Sequence, residues 1–442
     1  MSTLRWSRAA HGRGPAWYPH LPAVSAATRR AACGAVQAWE SGGVGKSGST
    51  ADAGGATVIF TSVNFLVFLV LVLAVYWQLP RRGQNLFLLV ASYFFYGFVH
   101  PWFCLLLAAS TLVDYLCGLG FVRFPQRRRL LVLASVVSNL TMLGVFKYFN
   151  FFVGNVQAAL EKLGCNVSLP VLNVLLPVGI SFYTFQTLSY TIDVYRGLLT
   201  PRRNFIDFAL FVALFPQLVA GPIERARNLL PQIERERTLD FSRIESAVCL
   251  IIWGFFKKLV IADNLALYVD RLYLLPSLPG LLVLTAGSGF FIQLFADFSA
   301  YSDIARGTAR LLGFELMHNF RAPFAASNPV EFWRRWHISL SSWIRDYVFT
   351  ALPGSHRSGW RLARNQMVVF LLFGLWHGAG WNFVIWGLYN GLLVVVYALW
   401  IRPWTRLVRT PLGDRALTLG GIGLWFFLAS LGCLIFRQHR LE

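Results

Sequence analysis

An all-α, polytopic membrane fold follows from three observations. The 442 residues are 56% hydrophobic and 16% aromatic but only 14% charged, where a soluble domain is nearer half apolar and a quarter charged. Apolar windows of about 18–22 residues recur along the chain, each bounded by Arg, Pro or Asn. The basic residues behind the net charge of +20 fall in short clusters between those windows. That is the pattern of cytoplasmic loops, not of a nucleic-acid-binding face. The expected surrounding is the lipid bilayer, and nucleic acid is not an expected partner.

Residues 1–57 differ from the rest: they are rich in Ala, Gly, Ser and Arg and hold no uninterrupted apolar run. The stretch GGVGKSGST, Gly42–Thr50, imitates a phosphate-binding loop, but Glu40 stands where the first glycine belongs and no apolar strand precedes it. Six basic residues here, against two acids, would pull the first spanning helix the wrong way. The reading is a disordered basic extension, or residues upstream of the natural start, ahead of a transmembrane domain at 58–442.

The first spanning window is Ser62–Leu79, closed by Pro80-Arg81-Arg82. Asn85–Val99, Trp102–Phe121, Leu130–Phe146, Val171–Tyr190 and Phe205–Ala220 follow. Ala247–Ile261, Leu281–Phe298, Gln366–Gly380, Phe383–Trp400 and Leu417–Phe436 bring the total to about eleven. Basic clusters follow the first, third and fifth windows, while the loops at His100 and Asn155–Pro170 are nearly uncharged. Alternation breaks at Phe205–Ala220, because Arg225, Arg227, Arg235, Arg237 and Arg243 come next. That window, which contains Pro216 and ends at Gly221-Pro222, is therefore expected to enter and return; such backbone is tolerated only against protein or a water-filled cavity. No internal repeat is evident, and the six scattered cysteines read as buried small side chains.

Four segments are too polar for plain lipid-facing helices: Leu176–Gly197, Phe215–Gln232, Phe295–Gly307 and Asn319–Val348. Asp297 and Asp303, in the third, are expected to pair with Arg306 or a neighbouring helix. In the fourth, FWRRWHISLSSWIRDY reads as one amphipathic helix at the membrane interface. Trp333, Trp336, His337, Leu340, Trp343, Ile344 and Tyr347 form its aromatic face. His377 lies in the uncharged run LLFGLWHGAGWNFVIWG. Gly374 and Gly378 flank it at GxxxG spacing, repeated by Gly387 and Gly391, so another helix can approach closely. A packing joint with a hydrogen-bonded histidine is one account. The other is catalytic: burial disfavours imidazolium, and a neutral ring has a nitrogen free to act as general base. No ligand-spaced His, Asp or Glu set surrounds it, so a metal is not expected.

Six motifs in order carry a resemblance from Phe60 to about Arg437: IFTSVNFLVF, LPVGISFYTFQTLSYTIDVYRG, FPQLVAGPIERARNLLPQ, DFSAYSDIARG, NFRAPFAASNPVEFWRRWHISLSSWIRDYV and GLWHGAGWNFVIWG. The chain resembles the membrane-bound O-acyltransferase (MBOAT) family, most closely the bacterial alginate O-acetyltransferase branch. The resemblance implies a ring of about ten or eleven spanning helices, with re-entrant and interfacial helices, around a central tunnel. It implies a multi-pass protein of the bacterial inner membrane, with His377 catalytic and His337, in the FWRRWH motif, as the second histidine of the catalytic site. The donor would be an acetyl-CoA or acyl-carrier-protein thioester on the cytoplasmic side, with no tightly bound cofactor. The acceptor would be an exopolysaccharide hydroxyl outside, often reached through a periplasmic SGNH-type partner.

Within that frame, Asn382 is a candidate oxyanion donor. His337 is expected toward the cytoplasmic mouth, positioning the donor. Arg334, Arg335 and Arg345 are candidates for the donor's phosphates or ordinary positive-inside residues. Trp336, Trp376, Asp297 and Tyr301 are further candidates for the tunnel lining. Ala300 replaces the glycine common in DFSGYSD, and relatives usually continue past the position of Glu442, so a truncated chain stays open. A transporter or flippase of a lipid-linked glycan precursor is the alternative from another class.

Overall fold

The computed structural model describes residues 60, 62–98, 100–165, 167–172, 175–219, 221–275, 279–354, 359–401 and 411–438. The amino-terminal extension lies outside the described residues. All regular structure among them is helical, and every apolar window contains a helix. Helix α1 (Val63–Tyr76) opens with Ser62, whose hydroxyl accepts the Phe65 N–H at 3.1 Å. Pro80 then turns the chain into α2 (Arg81–Gly97), followed by α3 (Phe103–Arg123). Helix α4 (Arg128–Leu143) runs through a π-turn at Gly144–Tyr148 into α5 (Phe149–Lys162). The segment expected to be a loop from Asn155 onward is thus helical as far as Lys162. Its Val-Gln-Ala-Ala-Leu-Glu-Lys run is rich in strong helix formers, a signal that its lack of charge obscured.

Helix α6 (Ile180–Tyr195) begins well inside its window, after Gly179 at φ 78°. A side chain at Gly179 would strike the Leu218 carbonyl. Helix α7 (Phe205–Ala213) has nine residues, about 14 Å of rise against a hydrocarbon core of about 30 Å. The chain turns through Phe215–Leu218 and returns as α8 (Ala226–Glu234). Arg202 before the excursion and Glu234 after it meet at 2.5 Å. The chain thus leaves and returns to one neighbourhood, the arrangement expected of a re-entrant segment.

Helix α9 (Phe241–Phe256) passes through a second π-turn, Lys257–Ala262, into α10 (Asp263–Tyr273). Helix α11 (Gly280–Leu311) follows. The short α12 (Pro329–Arg335) and α13 (Ile338–Trp343) precede α14 (Trp360–His377), α15 (Trp381–Val396) and α16 (Pro411–Arg437). Among the described residues five helical stretches are long and apolar enough to cross a bilayer: Phe103–Arg123, Pro125–Lys162, Gly280–Leu311, Trp381–Ile401 and Arg415–Arg437. The other windows hold shorter or more polar helices. Helix α6, for example, buries nearly every residue, so its polar side chains face protein.

One expectation fails. FWRRWHISLSSWIRDY is not a single interfacial helix. Trp336 is extended, His337 sits at φ 42° and ψ 54°, and a new helix starts at Ile338. The break is held from outside: Ile338 N–H donates to the Asn319 carbonyl at 2.9 Å, and Arg321 N–H to the Arg335 carbonyl at 3.0 Å. The segment is also buried, with Trp336, His337, Leu340 and Trp343 all in the interior. Spacing along one helix could not reveal partners supplied by a loop nearly twenty residues upstream.

The packing closes a circuit. Helix α11 lies between α9–α10 and α16; α16 touches α15, and α15 pairs with α14. The end of α14 meets the α4–α5 junction, where the Tyr148 hydroxyl donates to the Leu375 carbonyl at 2.7 Å. From α4 contacts run through α6, α3 and α7 to α2. The circuit returns to α11 where the Tyr76 hydroxyl donates to the Leu312 carbonyl at 2.7 Å. The broken segment around His337 packs inside, against rings from α6, α11, α14, α15 and α16.

Candidate active site

Helix α14 stops at His377 because Gly378 continues in extended backbone, at φ −169° and ψ 159°. Its approach to α15 is set by two glycines. A side chain at Gly374 would strike the Phe383 carbonyl, and one at Gly387 the Phe370 carbonyl. The expected close crossing is there, but it pairs Gly374 with Gly387, while Gly378 ends the helix and lies under the Phe383 ring. His377 is held among aromatic edges: Phe373 at 5.2 Å, Trp376 at 4.9 Å, Trp386 at 5.1 Å and Phe436 at 5.3 Å between centroids.

His337 reaches the same place from the other side. Its ring meets Phe298 at 4.7 Å and Trp376 at 5.7 Å, so Trp376 contacts both histidines. His337 is 1% exposed and His377 8%, and both line one cavity with about 530 Å³ of free space, alongside Trp333, Trp336 and Trp386. His337 therefore lines this chamber together with His377. Its Nε2 is buried with no hydrogen-bond partner among the described residues, as are Nε1 of Trp333 and Nε1 of Trp376. Buried polar atoms are normally paired. Two of these orphans, on His337 and Trp333, belong to residues that line the one aromatic cavity, and they mark a place shaped for a polar guest.

Two further cavities share its walls. His377, with Trp376, also bounds a space lined by Lys147, Gly179 and Ser181. Trp333 also bounds a space lined by Arg334, Arg345, Ser341 and Ser342. Each adjoins the histidine cavity, the first at His377 and the second at Trp333.

The other sequence candidates separate. Arg335 is tied to Glu331 at 2.6 Å. Asn382 donates its amide to the Phe436 carbonyl at 2.9 Å, joining α15 to α16, and does not line the chamber. Asp297 pairs with Lys258 at 2.7 Å, and Asp303 with Lys257 at 2.6 Å. The Lys258 ammonium lies over the Tyr301 ring at 5.5 Å. Asp297 and Tyr301 therefore sit in the packing of α9–α10 against α11 and do not line the histidine chamber. Sequence reading missed Lys147, Tyr148 and Trp386, and placed Trp333 on the aromatic face without a role at the site. Only the FKY run at a π-turn and the aromatic density around 386 hint at them.

Residues 196–436 match the model of the membrane-bound O-acyltransferase family. The chain belongs to this family. It is a multi-pass membrane O-acyltransferase, and known family proteins are similar over most of its length. The probable alginate O-acetylase of Azotobacter vinelandii is 41% identical over 391 residues, 87% of this chain and 76% of that protein. The peptidoglycan O-acetyltransferase of Helicobacter pylori is 33% identical over 415 residues, 87% and 76% of the two chains. The teichoic acid D-alanyltransferase of Bacillus subtilis is 29% identical over 282 residues, 60% and 70% respectively.

Proposed function

We propose that this acyltransferase carries an acetyl group from a cytoplasmic thioester donor to a hydroxyl of an exopolysaccharide outside the cell, in the manner of alginate O-acetylation. The observation that carries this reading is the chamber itself. His337 and His377 share one aromatic cavity, and two further cavities adjoin it, one at His377 and one at Trp333. The cavity with Arg334 and Arg345 suits the phosphates of coenzyme A or phosphopantetheine. Basic loops gather on that side, where Arg196 donates to the Asp346 carbonyl at 2.9 Å, and positive loops are cytoplasmic as a rule.

The transfer balances without a cofactor. His377 takes the proton from the acceptor hydroxyl as its oxygen attacks the thioester carbonyl. The tetrahedral intermediate collapses with loss of the thiolate, which takes the proton back from His377, leaving an ester and a free thiol. His337, buried with an unpartnered Nε2, orients the donor within the chamber. The acceptor hydroxyl belongs to the sugar, or to an SGNH-type partner on the outer side that passes the acetyl group on.

The test is His377→Ala in cells that export the polymer. O-acetyl groups per sugar are expected to fall at least about 100-fold, the lower range for loss of a general base, with protein level and export unchanged. Failed export with unchanged acetylation per exported sugar would instead make the protein a transporter.

A further inference from the structure

The last turn of a helix leaves four carbonyls without intrahelical donors. In α14 these belong to Gly374 through His377, the turn that holds the histidine. A left-handed glycine commonly supplies the cap. Gly378 does not, being extended, with the Phe383 ring where a side chain would go. The donors come instead from a distant helix. The Tyr148 hydroxyl donates to the Leu375 carbonyl at 2.7 Å, and the Lys147 ammonium donates to the Trp376 carbonyl. The Lys147 ammonium also lies 3.3 Å from Ser181 Oγ and 5.6 Å from the Trp376 ring centroid. Two turns further along, Asn155 Oδ1 accepts the Trp381 indole N–H at 2.8 Å. One face of the α4–α5 run thus grips the α14–α15 turn at both ends. Lys147 and Tyr148 end the π-turn Gly144–Tyr148. Such a turn inserts a residue and so shifts which side chains share a face.

We propose that Lys147 and Tyr148 are positioning residues for His377. They hold the Leu375 and Trp376 carbonyls, and with them the direction in which the imidazole enters the chamber. The cation at the negative end of α14 adds a favourable charge–dipole interaction. Lys147 and His377 line the same cavity, so the grip acts at the reacting centre as well as on stability. The assignment rests on His377 being the base of the acyl transfer proposed above.

The experiment uses the full chain in native membranes and two readouts. One is O-acetyl groups per exported sugar at matched protein level. The other is the rate at which diethyl pyrocarbonate modifies His377, followed by mass spectrometry. Lys147→Met is expected to lower acetylation at least about 10-fold, and Tyr148→Phe about 3–10-fold, as for charged and neutral hydrogen bonds respectively. Lys147→Met should speed His377 modification at least threefold. Lys147→Arg, which can still donate to a carbonyl, should recover most of the activity, whereas Lys162→Met at the far end of α5 should change neither readout. Acetylation within twofold of wild type, or unchanged His377 modification, in Lys147→Met overturns the assignment. If Lys147→Met does not accumulate, Tyr148→Phe decides on the same readouts. If His377→Ala acetylates normally, the acyl-transfer reading falls, while the modification rate still tests the grip.

Discussion

His337 is one of two non-glycine residues with positive φ among those described. At φ 42° a β-carbon crowds the backbone, at a cost of roughly 1–2 kcal/mol for a non-glycine residue. Such strain persists only where surroundings over-determine it, and it clusters at functional sites. Here Asn319 does the holding: its carbonyl takes the Ile338 N–H, and its side chain links Ser302 and Ser339 at 2.9 and 2.6 Å. Two substitutions separate ring from backbone. His337→Gly suits the left-handed conformation and is expected to melt at or above His337→Ala in detergent, by up to about 1 kcal/mol. Both should lose acyl transfer to a similar degree. Activity retained in the glycine variant would make His337 a backbone feature alone. Asp297 shows the contrary case, since Lys258 stands between Asp263 at 2.8 Å and Asp297 at 2.7 Å. Its charge is absorbed in a half-buried network around the buried Lys258 that supports packing.

The α14–α15 hairpin depends on a crossing with no room for a side chain. With Gly374 replaced by Ala, the new Cβ would meet the Phe383 carbonyl and lie 3.1 Å from the Gly387 Cα. Backbone cannot yield as a flexible side chain does, so the helices must separate. Gly374→Ala is expected to cost about 1–3 kcal/mol, the usual range for overpacking, read as a lower melting temperature in detergent. It should also lower transfer, because His377 lies one turn away. The glycine spacing was legible in the sequence, and so was a close crossing. The register was not, because GxxxG names a face and not the partner atom. The π-turns at Gly144–Tyr148 and Lys257–Ala262 left no sequence signal either. Each changes which side chains share a face: the first turns Lys147 toward α14, and the second turns Lys257 and Lys258 toward α11.

For the whole molecule, the excursion between Arg202 and Glu234 fixes which loops share a side. Besides that ion pair, the Arg81 guanidinium donates to the Glu234 carbonyl at 2.6 Å, and Tyr115 to the Arg203 carbonyl at 2.5 Å. Single cysteines at Arg203 and Glu236, in a cysteine-free background, are therefore expected to react with an impermeant maleimide from the same side. A cysteine at Leu163, at the end of α5, should react from the other. Labelling of positions 203 and 236 from opposite faces would mean that Phe205–Ala213 crosses the membrane outright.

Sequence alone determined the membrane class, the helix in every apolar window and the ordered motifs of the family. Those are local properties: apolar length, charge between windows, and residue type. Only the tertiary structure decided that His337 and His377 share a chamber, that Asn382 and Asp297 are occupied elsewhere, and that Lys147 caps the helix of His377. Lys147 and Trp376 are 229 residues apart. A contact over that separation is chosen by how helices pack and how a π-turn rotates one face, and no window of sequence contains both partners.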